Sequence, residues 1–170
     1  MHYREVAKLI KQKGYKRVLV TGPQRSGTTI TGKIMAQELG FKYIDEMAIQ
    51  VDNFDKMFSI YHEQRNFVLQ APGLAAYAHM MPGAVCFMRR PVKDIIKSQD
   101  RINWVKSHQK ELAKYFKTEG EISEIKYAFW DVWQKKHPNM FEIDYSSIAD
   151  HELYVAPEHR KNFKPRQTKR

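Results

Sequence analysis

The chain has 170 residues, 42% of them hydrophobic and 28% charged, which fits one globular domain with a real core and excludes a disordered chain. Its net charge of +10 calls for a polyanion among its partners, whether a nucleotide, a nucleic acid or an acidic acceptor. No apolar run approaches the roughly 20 residues that cross a bilayer, and the single Cys86 excludes an internal disulfide.

The opening residues Met1-His2-Tyr3-Arg4-Glu5 are charged and no apolar signal core follows, so a soluble, cytoplasmic protein is expected. Val6, Leu9 and Ile10 recur at helical spacing between Tyr3 and Lys13, with Gly14 as a stop. This predicts a helix, acting as a lid before the first strand. Val18-Leu19-Val20-Thr21 reads as a short buried strand running into Gly22. A glycine-bracketed loop follows, Gly22-Pro23-Gln24-Arg25-Ser26-Gly27-Thr28-Thr29. Ser26, Thr28 and Thr29 offer capping hydroxyls to a helix marked by Ile30, Ile34, Met35 and Leu39.

Such a strand-loop-helix turns backbone N–H groups toward one point at the positive end of a helix dipole, a ready site for a phosphate-like anion. Gly22 and Gly27 match the G-x-x-x-x-G frame of the nucleotide-binding P-loop. Thr28 stands where that loop carries its Lys, and Arg25 is the loop's cation. The missing Lys argues against ordinary ATP or GTP chemistry.

Gly40 ends the helix, and Phe41-Lys42-Tyr43-Ile44 reads as a second strand finishing on Asp45-Glu46. Carboxylates at a strand's C-terminal end in an open parallel sheet lie near the ligand crevice. From Val51 to Glu63, Phe54, Met57, Phe58 and Tyr61 share one helical face and read as core. Phe67–Gln70 is a third strand; Ala71-Pro72-Gly73 then turns into a helix bearing Leu74, Tyr77, Ala78 and Met81. His62 and His79 read as surface or packing residues. Ala84–Met88 is a further buried strand, holding Cys86 as a reduced core residue.

Arg89-Arg90-Pro91 leads from that strand into a helix with the apolar stripe Ile95, Ile96, Ile102 and Val105. Arginines beside a helix N-terminus oppose its dipole, and an anion there would relieve them. Ser98 follows Pro91 by seven residues, about two turns, and so faces back to the pair. Trp104–Phe116 reads as helical. Ile122–Trp133 reads as a core-packing helix with Ile122, Ile125, Phe129, Val132 and Trp133 on its buried side, and Trp130 as core. Met140–Tyr145 alternates as a last strand. The domain is placed at 1–156, with a basic tail at 157–170. The order of elements predicts an α/β fold, a three-layer αβα sandwich with a mostly parallel central sheet of the P-loop NTPase type.

Two stretches carry a family resemblance. GPQRSGTT resembles the 5′-phosphosulfate-binding loop of the sulfotransferase superfamily, P-[KR]-[ST]-G-[ST]-[ST]. Strand-Arg89-x-Pro91-helix-Ser98 resembles that family's 3′-phosphate motif, in the form R-R-P-x-x-[DE]-x-x-x-S; the commoner spacing puts Ser six residues after Pro. Ser146-Ser147-Ile148 is faintly similar to the family's Y-E-x-L segment. The resemblance implies a 3′-phosphoadenosine-5′-phosphosulfate co-substrate, an unknown acceptor, and no metal. It assigns Gly22, Gln24, Arg25, Ser26, Gly27, Thr28 and Thr29 to the 5′-phosphosulfate. Arg89, joined by Arg90, and Ser98 would hold the 3′-phosphate. Arg25 would neutralise the leaving oxygen, and Glu46, with Asp45 second, would take the acceptor proton. The Lys-Thr-His triplet of cytosolic members is replaced by Leu69-Gln70-Ala71-Pro72, and their late R-K-G-x-x-G-x-W-K segment is absent; Arg160, Lys164 and Arg166 stand in by charge. Two alternatives remain open: a degenerate P-loop NTPase or small-molecule kinase, with Asp45 holding magnesium, and a non-catalytic module binding nucleic acid through the tail.

Overall fold

The computed structural model describes residues 1–49, 54–101, 119–156 and 159. The expected helix at Trp104–Phe116, the stripe residues Ile102 and Val105, and the tail cations Arg160, Lys164 and Arg166 lie outside the described residues, as do the side chains of Phe54, Met57 and Phe58.

Helix α1 (Tyr3–Gln12) starts at His2, whose ring accepts the Arg4 N–H at 3.2 Å while Glu5 reaches back to the His2 N–H at 3.4 Å. It is not a lid. Tyr3, Val6 and Ile10 are fully buried, so the helix is part of the core and could not lift away without exposing them. Strand β1 (Arg17–Thr21) leads through the glycine loop to helix α2 (Thr28–Leu39), which ends on left-handed Gly40. Strand β2 (Lys42–Asp45), the short helix α3 (Glu46–Ile49), helix α4 (Phe54–Glu63) and strand β3 (Phe67–Gln70) follow.

The segment Pro72–Met80 is 3₁₀ rather than α-helical. Strand β4 (Ala84–Arg89), helix α5 (Val92–Asp100), helix α6 (Glu119–Trp133) and strand β5 (Met140–Asp144) complete the frame, and a 3₁₀ turn at Tyr145–Asp150 follows β5.

The described strands form a five-stranded sheet in the order β2-β3-β1-β4-β5, with every pairing parallel. Both faces are covered, as parallel sheets require. Val18 and Val20 of β1 pack with α1 and α2 residues on one face, and Leu19 between them packs on the other with Trp130 and Phe87. On α6 the expectation holds in part: Trp130 is core and Trp133 packs against it, but the rest of the expected stripe does not turn inward. Tyr127 and Trp130 go inward, while Ile125 (40% exposed), Phe129 (46%) and Val132 (52%) face out. Trp130 stacks on Phe87 with ring centroids 4.5 Å apart. Burial of aromatics this large outweighs the more numerous aliphatics on the neighbouring stripe.

The side toward which the connections lead changes between β1 and β4. The connection of β1 leads toward β2, and that of β4 leads toward β5 on the other side. The C-terminal ends of β1 and β4 therefore open a crevice at a topological switch point.

Candidate active site

The loop after β1 fills that crevice. Gly22 has φ +142, and a Cβ there would sit 3.0 Å from the Met88 carbonyl oxygen of β4. Gly27 has φ +101 and caps α2; a Cβ on it would meet the Tyr145 ring at 2.7 Å. Both positions need glycine for conformation and for space. Arg25 holds φ +67 without being glycine, a left-handed state costing about 1 kcal/mol. Ser26 is fully buried, and its hydroxyl has no hydrogen-bond partner among the described residues. The N-terminus of the twelve-residue α2 opens onto the same point.

The strained backbone at Arg25 sends neighbouring side chains to opposite walls. Arg25 Nε reaches Ser98 Oγ of α5 at 3.3 Å. Gln24 Oε1 accepts from Lys126 Nζ of α6 at 2.7 Å. A cavity of about 300 Å³ lies on the Arg25 side, lined by Arg25, Gly27, Thr28, Thr29, Arg90, Ser98 and Tyr145 among others.

Of the two arginines at the end of β4, Arg90 faces this cavity. Its guanidinium donates to the Arg25 carbonyl at 2.9 Å and lies 4.2 Å from the Tyr145 ring centroid. Tyr127 fixes its backbone by accepting from the Arg90 N–H at 3.1 Å and donating to the Arg90 carbonyl at 2.6 Å. Arg89, adjacent on a strand, points the other way. It pairs with Asp131 and, at 2.8 Å, with Glu142, and lies over the Tyr127 ring. The sequence motif thus becomes two things: Arg90 beside Ser98 at the cavity, and Arg89 bracing β4 to α6 and β5. A second cavity of about 610 Å³ adjoins, sharing Arg90 and Tyr145 and taking in Arg89 and Tyr127.

The carboxylates at the end of β2 also divide. Asp45 accepts from Tyr43 OH at 2.9 Å with one oxygen and from the Met47 N–H at 3.0 Å with the other. Tyr43 OH also lies 3.4 Å from Gln70 Oε1, and Gln70 Nε2 donates to Thr28 Oγ1 at 3.3 Å, so Thr28 is tied into the sheet edge. Glu46 is less tightly held, accepting from the Gly73 N–H at 3.4 Å. Burial chiefly raises its pKa, Gly73 and Lys126 pull it down, and Asp45 adds to the rise.

Lys126 was not singled out by the sequence, where it reads as a solvent-side charge of an amphipathic helix. It reaches Gln24 and, at 3.2 Å, the Pro72 carbonyl. Burial pulls its pKa down to about 8, with Glu46 opposing. Both partners lie more than fifty residues away along the chain, so no local pattern marks it.

Cys86 is buried in the sheet and its thiol is pushed up by burial, which makes it a poor nucleophile. His79 packs on Trp133 at 4.2 Å. Among the described residues no group of His, Cys, Asp and Glu is arranged to hold a metal ion, and no helix is long and apolar enough to cross a membrane.

No protein-family model matches the chain, and no curated protein does. Solved structures do match. The shikimate kinase from Acinetobacter baumannii, in complex with shikimate, is 14% identical with a TM-score of 0.52, covering 81% of this chain and 86% of that one. The shikimate kinase from Bacteroides thetaiotaomicron is 13% identical with a TM-score of 0.45, covering 75% of this chain and 85% of that one. At such identity the likeness speaks to fold alone. The described strands give the chain an all-parallel α/β fold of the P-loop kinase kind, with the glycine loop at the C-terminal end of β1.

Proposed function

We propose that the chain transfers a sulfuryl group from 3′-phosphoadenosine-5′-phosphosulfate to an acceptor hydroxyl or amine. The observation that carries this reading is the contact from Arg25 to Ser98, with Arg90 beside them. It sets Ser98 and Arg90 as further anion donors beside the loop's own cation, and a donor phosphorylated at both ends suits a two-ended grip. The loop sequence supports the same donor, because Thr28 replaces the Lys that reaches the outer phosphates of ATP.

In this reading Gly22, Ser26, Gly27, Thr28 and Thr29 receive the 5′-phosphosulfate. The acceptor oxygen or nitrogen attacks sulfur in line as the bond from sulfur to the bridging oxygen breaks. The electron pair stays on the 5′-phosphate oxygen, where loop N–H groups and Arg25 stabilise it. The acceptor proton passes to Glu46. Asp45 is a weaker choice of base, since Tyr43 and Met47 already hold its oxygens. Arg90 and Ser98 hold the 3′-phosphate, and Arg89 acts behind them as a brace.

The fold likeness by itself sits better with a phosphoryl-transferring kinase. In that second reading Asp45 would hold magnesium and Arg25 would replace the Lys. The same two bonds to Asp45 count against it. A nucleic-acid-binding module explains the charge but gives the loop no work.

Calorimetric titration with 3′-phosphoadenosine-5′-phosphate and with ATP, each with and without magnesium, separates these readings. Tight, metal-independent binding of the 3′-phosphorylated nucleotide is expected, and Ser98→Ala should weaken it. Magnesium-dependent binding of ATP alone would replace the sulfuryl reading with the kinase one. Salt-sensitive binding of random DNA with no nucleotide binding would leave only the third.

A further inference from the structure

Lys126 is a part-buried ammonium with three N–H donors, and two of them go to neutral carbonyl oxygens, Gln24 Oε1 and the Pro72 carbonyl. Among the described residues no carboxylate stands within ion-pair distance of it. Glu46 acts on it only through space. A buried cation without a contacting anion is costly. This one is held at the rim of a loop whose N–H groups and helix terminus already gather positive potential. The arrangement is unfavourable in the empty protein and is relieved by an anion at the loop.

The position narrows which anion. Gln24 and Arg25 are consecutive, yet Gln24 turns to α6 and Arg25 to α5, so Lys126 and the Arg25–Ser98–Arg90 cluster bracket the loop from opposite walls. The cavity proposed for the nucleotide lies on the Arg25 side and does not include Lys126. Lys126 lies on the side of Glu46 and the end of β3, where the acceptor would meet the donor. Within the loop, the place of the missing lysine is filled by Thr28, which is buried and tied to Gln70.

We infer that Lys126 is a catalytic residue that supplies from α6 the cation the loop lacks, donating its third N–H to a non-bridging oxygen of the donor's terminal, transferable group. This deepens the proposed function and rests on the loop being the site of transfer. The ligand feature it recognises is one anionic group beyond the 5′-phosphate, a sulfuryl in the favoured reading or a terminal phosphoryl in the kinase one. The proton still leaves through Glu46, and Lys126 remains protonated throughout, so its contribution is to hold and polarise the group.

The test compares nucleotides that differ in that terminal group: 3′-phosphoadenosine-5′-phosphosulfate against 3′-phosphoadenosine-5′-phosphate, and ATP against ADP with magnesium. Affinities are measured for the wild type, Lys126→Met and Lys126→Arg, with each fold checked by circular dichroism. The Met variant should lose about 10- to 100-fold in affinity for the longer nucleotide, the worth of one charged hydrogen bond, and less than about threefold for the shorter. The Arg variant should keep most of the preference. A folded Met variant with the wild-type preference, or one that weakens both nucleotides equally, overturns the inference and leaves Lys126 as a tether for Gln24. Should the Met variant not fold, the lysine-labelled wild type decides by NMR: the Lys126 ammonium signal should move with the longer nucleotide and not with the shorter, and an equal response to both refutes the role. A preference confined to the ATP pair would refute the sulfuryl donor while still testing Lys126. A chain that binds neither pair overturns both.

Discussion

Replacing Lys126 with Met should change how stability depends on pH. In the folded protein burial lowers the Lys126 pKa from 10.5 to about 8. The folded state therefore releases this proton before the unfolded chain does. Between pH 8 and 10.5 the unfolded chain binds more protons, and stability rises with pH across that window. At about 1.4 kcal/mol per pH unit, the wild type gains roughly 2 to 3 kcal/mol from this group between neutral pH and the upper edge of the window. Lys126→Met removes the titration. It also leaves Gln24 Oε1 and the Pro72 carbonyl without their donor, a cost that does not vary with pH. The quantity to follow is thus the difference in unfolding free energy between wild type and variant, by urea denaturation from pH 7 upward. Other groups titrating there cancel in that difference. The wild type should improve relative to the variant by about 2 to 3 kcal/mol and then level off. A difference constant with pH would refute the burial argument, and a relative loss for the wild type would mean an anionic partner holds Lys126 in the folded protein. Saturating anionic nucleotide should flatten the curve by favouring the charged amine.

Three further outcomes are expected. Gly27→Ala should cost about 1 to 3 kcal/mol and abolish nucleotide binding, from a left-handed φ and a collision with Tyr145; denaturation should show part of the stability restored by adding Tyr145→Ala. Arg89→Ala and Arg90→Ala should separate cleanly. The first strands Glu142 and Asp131 and lowers stability by about 1 to 3 kcal/mol with nucleotide affinity little changed; the second weakens binding of the 3′-phosphorylated nucleotide at least tenfold, by calorimetry, with a smaller effect on melting. Glu46→Gln should slow transfer about 100- to 10,000-fold with donor affinity kept. It should also remove an acid limb of the rate profile that lies above the ordinary carboxyl value of 4.5, since burial raises this pKa and the base must be ionised to work.

The sheet was legible because its inner strands β1, β3 and β4 are apolar runs bounded by Gly, Pro or charge, as a parallel sheet covered on both faces requires, and its edge strands are short and mixed. The loop was legible because the spacing of its glycines, both at positive φ, is a local signal, although Met88 and Tyr145 crowd them from far along the chain. What failed to show depends on distant partners. On α6 Trp130 reads as core from the sequence, but the inward turn of Tyr127, made by Phe87 and the Arg90 backbone, and the exposure of Ile125, Phe129 and Val132 do not. Helix α1 carries too few apolar residues to distinguish a cover from a core element; Tyr3, packed edge-on against His151, settles it. Arg89 and Arg90 are chemically identical neighbours, separated by the strand's alternation and by carboxylates forty and more residues onward. Lys126 gives no local sign at all, because its meaning is a contact with Gln24 across 102 positions.

The Tyr145 ring wedged against Gly27 and beneath Arg90 has a consequence for how the site comes into being. The glycine loop is spelled out within the first thirty residues, yet the side chain that shapes its far wall follows the last strand of the sheet, and β5 can add only after β4 is in place. A growing chain therefore carries the motif long before it carries the site. Anion affinity should arrive late and all at once, as an attribute of the finished sheet rather than of the loop that names it.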